Sequence, residues 1–219
     1  MTTKPDPPPS DLPSYSTMGV QDLLDAFASN EPIPGGGSAS ALAGAVGVSL
    51  LIMVAGLPKT RTGAPEEAAD LSEASARLRP IRDTLTSLID EDSQAYQAVL
   101  AAYRLPKGND AEKSARDAAV EDAMRGATEI PLETMRACQQ ALAGAVVIAK
   151  NGNPNAATDT GVGIELLLTG VRGGRMNIDV NVASLSDTSY VTRVMDERAA
   201  LERDATSDAD DARAELPRG

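Results

Sequence analysis

Few residue types in this chain can do chemistry. There is no histidine among its 219 residues, so imidazole catalysis and imidazole metal ligation are excluded. The single cysteine, Cys138, has no second thiol for a disulfide or a metal cluster and no histidine to activate it. It reads as a small core residue. Carboxylates are therefore the main candidates. After Pro80, apolar residues fall at Ile81, Leu85, Leu88, Ile89, Tyr96, Val99 and Tyr103, a helical stripe. Asp92 lies one turn beyond Leu88 and one turn before Tyr96, in the middle of that stripe. A carboxylate turned inward is costly unless it is paired, hydrogen-bonded or protonated. Burial would raise its pKa and a cationic partner would lower it. Either way Asp92 is the strongest candidate for a general acid/base working without histidine. The competing reading is a buried ion pair with Arg125 or Arg136, or an aspartate at a subunit interface. Asp90, by the same geometry, points to nearly the opposite side.

The second feature is Pro32-Ile-Pro-Gly-Gly-Gly-Ser38, a proline-fixed turn running into a long uncharged segment. Gly35, Gly36 and Gly37 lose much backbone entropy on ordering, so something at this point requires a chain without Cβ atoms. Ser38 is positioned as an N-cap. Glycine N–H groups at a helix start would make an anion cradle; the alternative is a tight turn that lets two helices approach. Asp159 follows the Asn-Gly-Asn-Pro turn near a helix start, where a first-turn acid favoured by the helix dipole is the simpler reading. Asn177 and Asn181, spaced i, i+4, could present two amides on one face or stand as solvated polar residues. Lys59, Arg61, Arg104 and Lys107 lie on loops and are the cations available to an acidic ligand.

These residues must be positioned by helices. Residues 1–17 hold five prolines and read as a disordered arm. A helical domain is expected over 18–204, followed by a charged tail over 205–219. Within the domain, helices are predicted over Val20–Ala28, Ala39–Leu57, about Glu66–Arg104 with a kink or break at Pro80, and about Ala111–Lys150 with Asp110 as cap and an interruption near Pro131. Helical pattern resumes through Val171, and a last helix covers Ser189–Arg203. Alternation at Met176, Ile178, Val180 and Val182 suggests a strand, but a lone strand has no partner in this chain, so helix is preferred there. The expected fold class is all-α, a bundle of long helices.

Composition supports this. Aromatic residues make up 2% of the chain, with no tryptophan, so the core must be packed from Ala, Leu, Val, Ile and Met. The net charge of −12 argues against nucleic acid and anionic membrane as partners. Absence of disulfide pairing and of a secretory signal points to the cytoplasm. The uncharged stretch Ala39–Leu57 is long enough to raise the question of a membrane span. Its Ala, Gly and Ser content and the lack of an aromatic belt favour a buried central helix.

Several blocks together carry a resemblance. They are Phe27-Ala-Ser-Asn-Glu-Pro-Ile-Pro-Gly-Gly-Gly-Ser38 with Met53-Val-Ala, then Leu88-Ile-Asp-Glu-Asp-Ser-Gln-Ala-Tyr96, Tyr103-Arg-Leu-Pro-Lys107 and Ile130-Pro-Leu132. Gly152-Asn153, Thr158-Asp-Thr-Gly-Val162 and Met176-Asn-Ile-Asp-Val-Asn181 follow in order. In these the chain resembles the formiminotetrahydrofolate cyclodeaminase / methenyltetrahydrofolate cyclohydrolase family. The resemblance implies a dimerising all-α bundle acting on the one-carbon bridge between N5 and N10 of tetrahydrofolate, as cyclohydrolase, cyclodeaminase or both. It implies no metal and no cofactor beyond the tetrahydrofolate substrate. The Asp-Glu-Asp segment matches the family's acidic catalytic motif, leaving Asp92 and Asp90 as catalytic candidates. Gly35, Gly36, Gly37, Ser38, Lys59, Arg61, Lys107, Asp159, Asn177 and Asn181 are the substrate-binding candidates. Two segments depart from the family pattern. Pro58-Lys-Thr-Arg-Thr-Gly63 replaces a Gly-Lys-Lys-Tyr-like run, and Thr158-Asp159-Thr160 replaces Ser-Asp-Leu; both bear on substrate preference. The different-class alternative is a dimeric helical binding protein without catalysis.

Overall fold

Small residues set how closely the helices of this protein approach. The computed structural model describes residues 12–217, and among them the regular structure is helical. The helices are α1 (Val20–Phe27), α2 (Gly36–Ala55), α3 (Pro65–Tyr103), α4 (Asp110–Asn151), α5 (Ala157–Val182) and α6 (Thr188–Glu215), with short 3-10 turns at Tyr15–Thr17 and Pro154–Ala156. Helix α2 is central and packs on α3, α4 and α5, while α6 lies across α4 and α5. By length and composition α2 could cross a membrane, yet more than half of it is buried within the bundle.

Helices α2 and α5 cross with almost nothing between their backbones. A Cβ on Gly47 would lie 2.8 Å from the Gly163 carbonyl oxygen, and one on Gly163 would lie 3.1 Å from that of Gly47. Further along the crossing, a Cβ on Gly44 or Gly170 would lie 2.7 or 2.6 Å from Cys138 Sγ. The fully buried thiol of α4 thus fills the junction of three helices. Because the obstacle at Gly47 is backbone and not a movable side chain, Gly47→Ala is expected to destabilise the fold by about 1–3 kcal/mol. A denaturant melt would show it as a lower midpoint with unchanged slope.

Three expectations about the elements change. Pro80 and Pro131 sit inside continuous helices, so neither divides its segment. Asn109, not Asp110, caps α4, its side chain accepting from Glu112 N–H at 2.9 Å. The expected charged tail from 205 is the end of α6, which runs to Glu215. There Ala205, Ala209 and Ala212 are fully buried at i, i+4, i+7, the spacing of one helical face, and the surrounding acids occupy the outward side. At the other end, the arm expected over 1–17 lies partly outside the described residues. Its described part is pinned, with Tyr15 buried in the core. The segment with strand-like alternation, 176–182, is the last two turns of α5.

Candidate functional site

The N-terminus of α2 is where the sequence candidates converge. Helix α2 begins at Gly36, and its cap residue, Gly35, has no side chain with which to cap it. The first N–H groups of any helix lack intrahelical partners, and here a carboxylate from α3 supplies one. Asp92 Oδ2 accepts from the Ser38 backbone N–H at 2.9 Å and from Ser38 Oγ at 3.0 Å. Ser38 is therefore not the cap the sequence suggested. Its fully buried side chain also lies 2.8 Å from the Ile89 carbonyl and 3.3 Å from Ser93 Oγ, tying α2 to α3. The anion held by the glycine-rich start is the protein's own. Gly37 makes this possible, since a Cβ there would fall 2.0 Å from Asp92 Oδ1.

Burial raises the Asp92 pKa above that of an ordinary aspartate, and the two Ser38 hydrogen bonds oppose the shift without cancelling it. The ion-pair alternative fails. Arg125 reaches Asp187 at 2.8 Å, and Arg136 is held by Glu197 at 2.6 Å and Glu133 at 3.0 Å. A partly buried carboxylate without a cationic partner, its pKa raised by desolvation, is the kind of group that serves as a general acid/base.

Asp92 faces a cavity of about 390 Å³, within the range of small-molecule sites of about 300–1,000 Å³. Its walls are Pro32, Ile33 and the three glycines on one side, Tyr96, Val99 and Tyr103 of α3 on another, and Met124 and Ala127 of α4 with Asn177 and Asn181 of α5 opposite. Tyr96 and Tyr103, read from sequence as part of the core stripe, are exposed at 38% and 45% and offer flat walls to a planar ring.

Pro131 sets the Asn181 side of this wall. Lacking an N–H, it leaves the Ala127 carbonyl without its i+4 donor. Asn181 Nδ2 donates to that carbonyl at 2.8 Å. Asn177 Nδ2 likewise donates to the Gly173 carbonyl at 2.9 Å. Sequence reading located both asparagines but missed this coupling, whose signal was Pro131 four residues after Ala127. Asn181→Ala is expected to cost about 1–3 kcal/mol by leaving a carbonyl unsatisfied. Adding Pro131→Ala should recover part of that loss, because residue 131 then donates. Additive destabilisation in a double-mutant cycle would contradict the coupling.

Other candidates lie elsewhere. Asp90 does not line the cavity. Its carboxylate accepts from Tyr15 N–H at 2.6 Å, Ser16 N–H at 3.2 Å, Ser14 Oγ at 2.9 Å and Ser16 Oγ at 2.6 Å. It latches the N-terminal arm to α3, as its position on the far side of the stripe implied. Lys59 and Arg61 follow the C-terminus of α2, some 20 residues from the glycines, or about 30 Å of helix. Arg61 binds the Ala149 carbonyl at 3.0 Å and the Glu215 carbonyl at 2.7 Å, holding the ends of α4 and α6. Asp159 lies in the first turn of α5, and Asn177, 18 residues on, faces the cavity about 27 Å away. Helices α2 and α5 run antiparallel, so Lys59, Arg61 and Asp159 share the end opposite the cavity. Lys107 is exposed on the loop after Tyr103, at the cavity's end of the bundle but outside its lining.

Among the described residues, fold and site define a helical protein with a partly buried carboxylate held at the start of its central helix. The chain belongs to the formiminotransferase-cyclodeaminase family, whose profile it matches over residues 19–200. It is 36% identical over 182 residues to the methenyltetrahydrofolate cyclohydrolase of Methylorubrum extorquens, covering 83% of this chain and 88% of that one. It is 29% identical to the formimidoyltransferase-cyclodeaminase of Rattus norvegicus, covering 86% of this chain but 36% of that longer protein. The fold matches a crystal structure of formiminotetrahydrofolate cyclodeaminase from Thermotoga maritima with a TM-score of 0.81 at 21% identity, covering 91% and 96% of the two chains.

Proposed function

We propose that this protein is a folate one-carbon enzyme acting on the N5/N10 bridge of tetrahydrofolate. It would hydrolyse 5,10-methenyltetrahydrofolate, deaminate 5-formiminotetrahydrofolate, or do both. The observation that carries the reading is the partly buried Asp92, held by Ser38 against Gly37 at the wall of a cavity of substrate size. The relative covering 88% of its own length under the name methenyltetrahydrofolate cyclohydrolase supports it. In the hydrolytic direction the Asp92 carboxylate takes a proton from the water that attacks the methenyl carbon. The tetrahedral adduct then opens at its bond to N5 to give the 10-formyl product. In the deaminating direction N10 attacks the carbon of the protonated formimino group, the Asp92 carboxylate takes the N10 proton, and the resulting carboxyl passes it to the departing ammonia. Both steps pass through a tetrahedral carbon, so one acid/base serves either. The planar pterin lies against Tyr96 or Tyr103.

The second part of the proposal is a homodimer. Val46 and Met53 of α2 and Val162 of α5 remain 44%, 41% and 46% exposed beside the α2–α5 crossing, and apolar residues so placed suit a subunit contact.

Purified protein is incubated with each folate and followed by absorbance, with light scattering giving the mass. Consumption of 5,10-methenyltetrahydrofolate or its appearance from the formimino substrate is expected. Binding without turnover would reduce the protein to a folate-binding module, and a monomeric mass would remove the dimer.

A further inference from the structure

The polarity of the cavity wall carries an inference about which folates it accepts. Asp92 is the one charged side chain lining the cavity among the described residues. Of the cations on the neighbouring elements, Arg116 of α4 lies over the Tyr103 ring, 5.3 Å from its centroid, and donates to the Tyr103 carbonyl without itself lining the cavity; others are paired with acids. Arg125 of α4 binds Asp187, Arg136 binds Glu197, and Arg175 of α5 and Arg198 of α6 meet around Asp179. Asp92 Oδ2 takes both Ser38 hydrogen bonds, and within the described residues no donor reaches Oδ1. The amide nitrogens of Asn177 and Asn181 each donate one N–H, to the Gly173 and Ala127 carbonyls. At 2.9 and 2.8 Å from a carbonyl oxygen only the NH2 end of an amide can sit, which leaves both Oδ1 acceptors and the second N–H of each amide for a ligand. Hydroxyls and amides on this wall can donate or accept, whereas Asp92 Oδ1 is its one unpartnered charged acceptor among the described residues, and the group that suits it is a cationic N–H donor on the ligand.

We propose that the cavity selects one-carbon carriers whose one-carbon unit is itself a cation, an amidinium with charge spread over N–C–N, and rejects neutral carriers of the same shape. The inference rests on the folate reading above and deepens it. The methenyl bridge and the protonated formimino group are both such cations, which explains how one cavity would serve two reactions. Hydrolysis converts the methenyl cation and water into a neutral formyl carrier and one proton. The charge attraction is lost at that step, and release follows. Deamination yields another cation, so its product stays attracted to Asp92.

The test uses an isosteric pair, 5-formiminotetrahydrofolate and 5-formyltetrahydrofolate, which differ by a cationic =NH2 against a neutral =O. Binding to the wild-type protein is measured by stopped-flow fluorescence quenching within the first turnover, and by titration for the Asp92→Asn variant. The wild type is expected to bind the formimino ligand roughly 10- to 100-fold tighter, the range for a hydrogen bond to a charged group. In Asp92→Asn the ratio is expected to fall to about threefold or less, with formyl affinity little changed. Equal binding of the two ligands by the wild type overturns charge selection and leaves the folate reading standing. A ratio that survives in a folded Asp92→Asn variant also overturns it. If neither ligand binds, the folate reading falls and this inference falls with it. The wild-type ratio needs no variant to fold.

Discussion

Asp92→Asn is expected to lower kcat by roughly 10²–10⁴-fold, the usual contribution of a positioned acid/base, while the protein folds and gains stability near neutral pH. The two halves of this expectation have one cause. Burial holds the Asp92 pKa above its ordinary value, so the folded protein binds this proton more tightly than the unfolded chain does. A raised acid favours the folded state fully at pH below the unfolded pKa and loses that contribution as pH rises through the folded pKa. Once ionised, the buried carboxylate is a burden, and an uncharged amide removes it. The asparagine oxygen can still accept from the Ser38 N–H, so the α2 start keeps its partner. Thermal melts across a pH series should show the variant's advantage absent below the ordinary aspartate range and growing as pH rises above it. In the wild type, the acid limb of the kcat/KM profile should lie above the ordinary aspartate range. Near-normal turnover in Asp92→Asn would remove this residue from the chemistry.

Gly37→Ala should be nearly as damaging to activity, for a steric reason. The added Cβ would lie 2.0 Å from Asp92 Oδ1 and 2.5 Å from its Cγ, closer than van der Waals contact permits. Either the carboxylate swings away or α2 shifts, and both misplace the acid by an ångström or more. Displacements of that size cost about 10²-fold in rate, so a loss of roughly that order in kcat is expected. Overpacking adds about 1–3 kcal/mol of destabilisation. Gly36→Ala is the control, because its Cβ would meet nothing closer than Asn177 Nδ2 at 3.9 Å. Kinetics and melts of the two variants side by side separate the contact from the general effect of a methyl group in this turn. Equal activities would show that the approach of Gly37 to Asp92 is unimportant.

The reasons these residues could be found differ from residue to residue. Asp92 was visible because a helix repeats every 3.6 residues, so an acid on an apolar stripe declares itself in one dimension. The same periodicity placed Asp90 on another side, where it holds the arm. The all-α class followed from a chain with almost no aromatics and long runs of small residues. Other features depended on the third dimension. Lys59, Arg61 and Asp159 were plausible ligands until the antiparallel run of α2 and α5 put them at the far end. Tyr96 and Tyr103 continue the stripe of Leu88 and Val99, and nothing local says that core gives way to cavity between them. Helix α6 was cut short because alanine contributes little hydrophobic signal among the six charges of residues 204–215, although Ala205, Ala209 and Ala212 keep the repeat. The glycine-rich turn announced an anion, but not that the anion would come from the next helix.

The sulfur wedged between Gly44 and Gly170 gives the protein an internal clock for its own opening. Burial pushes the Cys138 thiol up to about 12, so almost no thiolate exists at physiological pH. A reagent that modifies thiolates must wait until α2, α4 and α5 separate. With one cysteine in the chain, the labelling rate reports that separation without interference from any other site. Slow opening fixes the rate when the reagent outpaces reclosure, and the equilibrium population of the open form fixes it otherwise. Alkylation in the presence and absence of a bound folate would therefore time how firmly the distant cavity clamps the bundle shut.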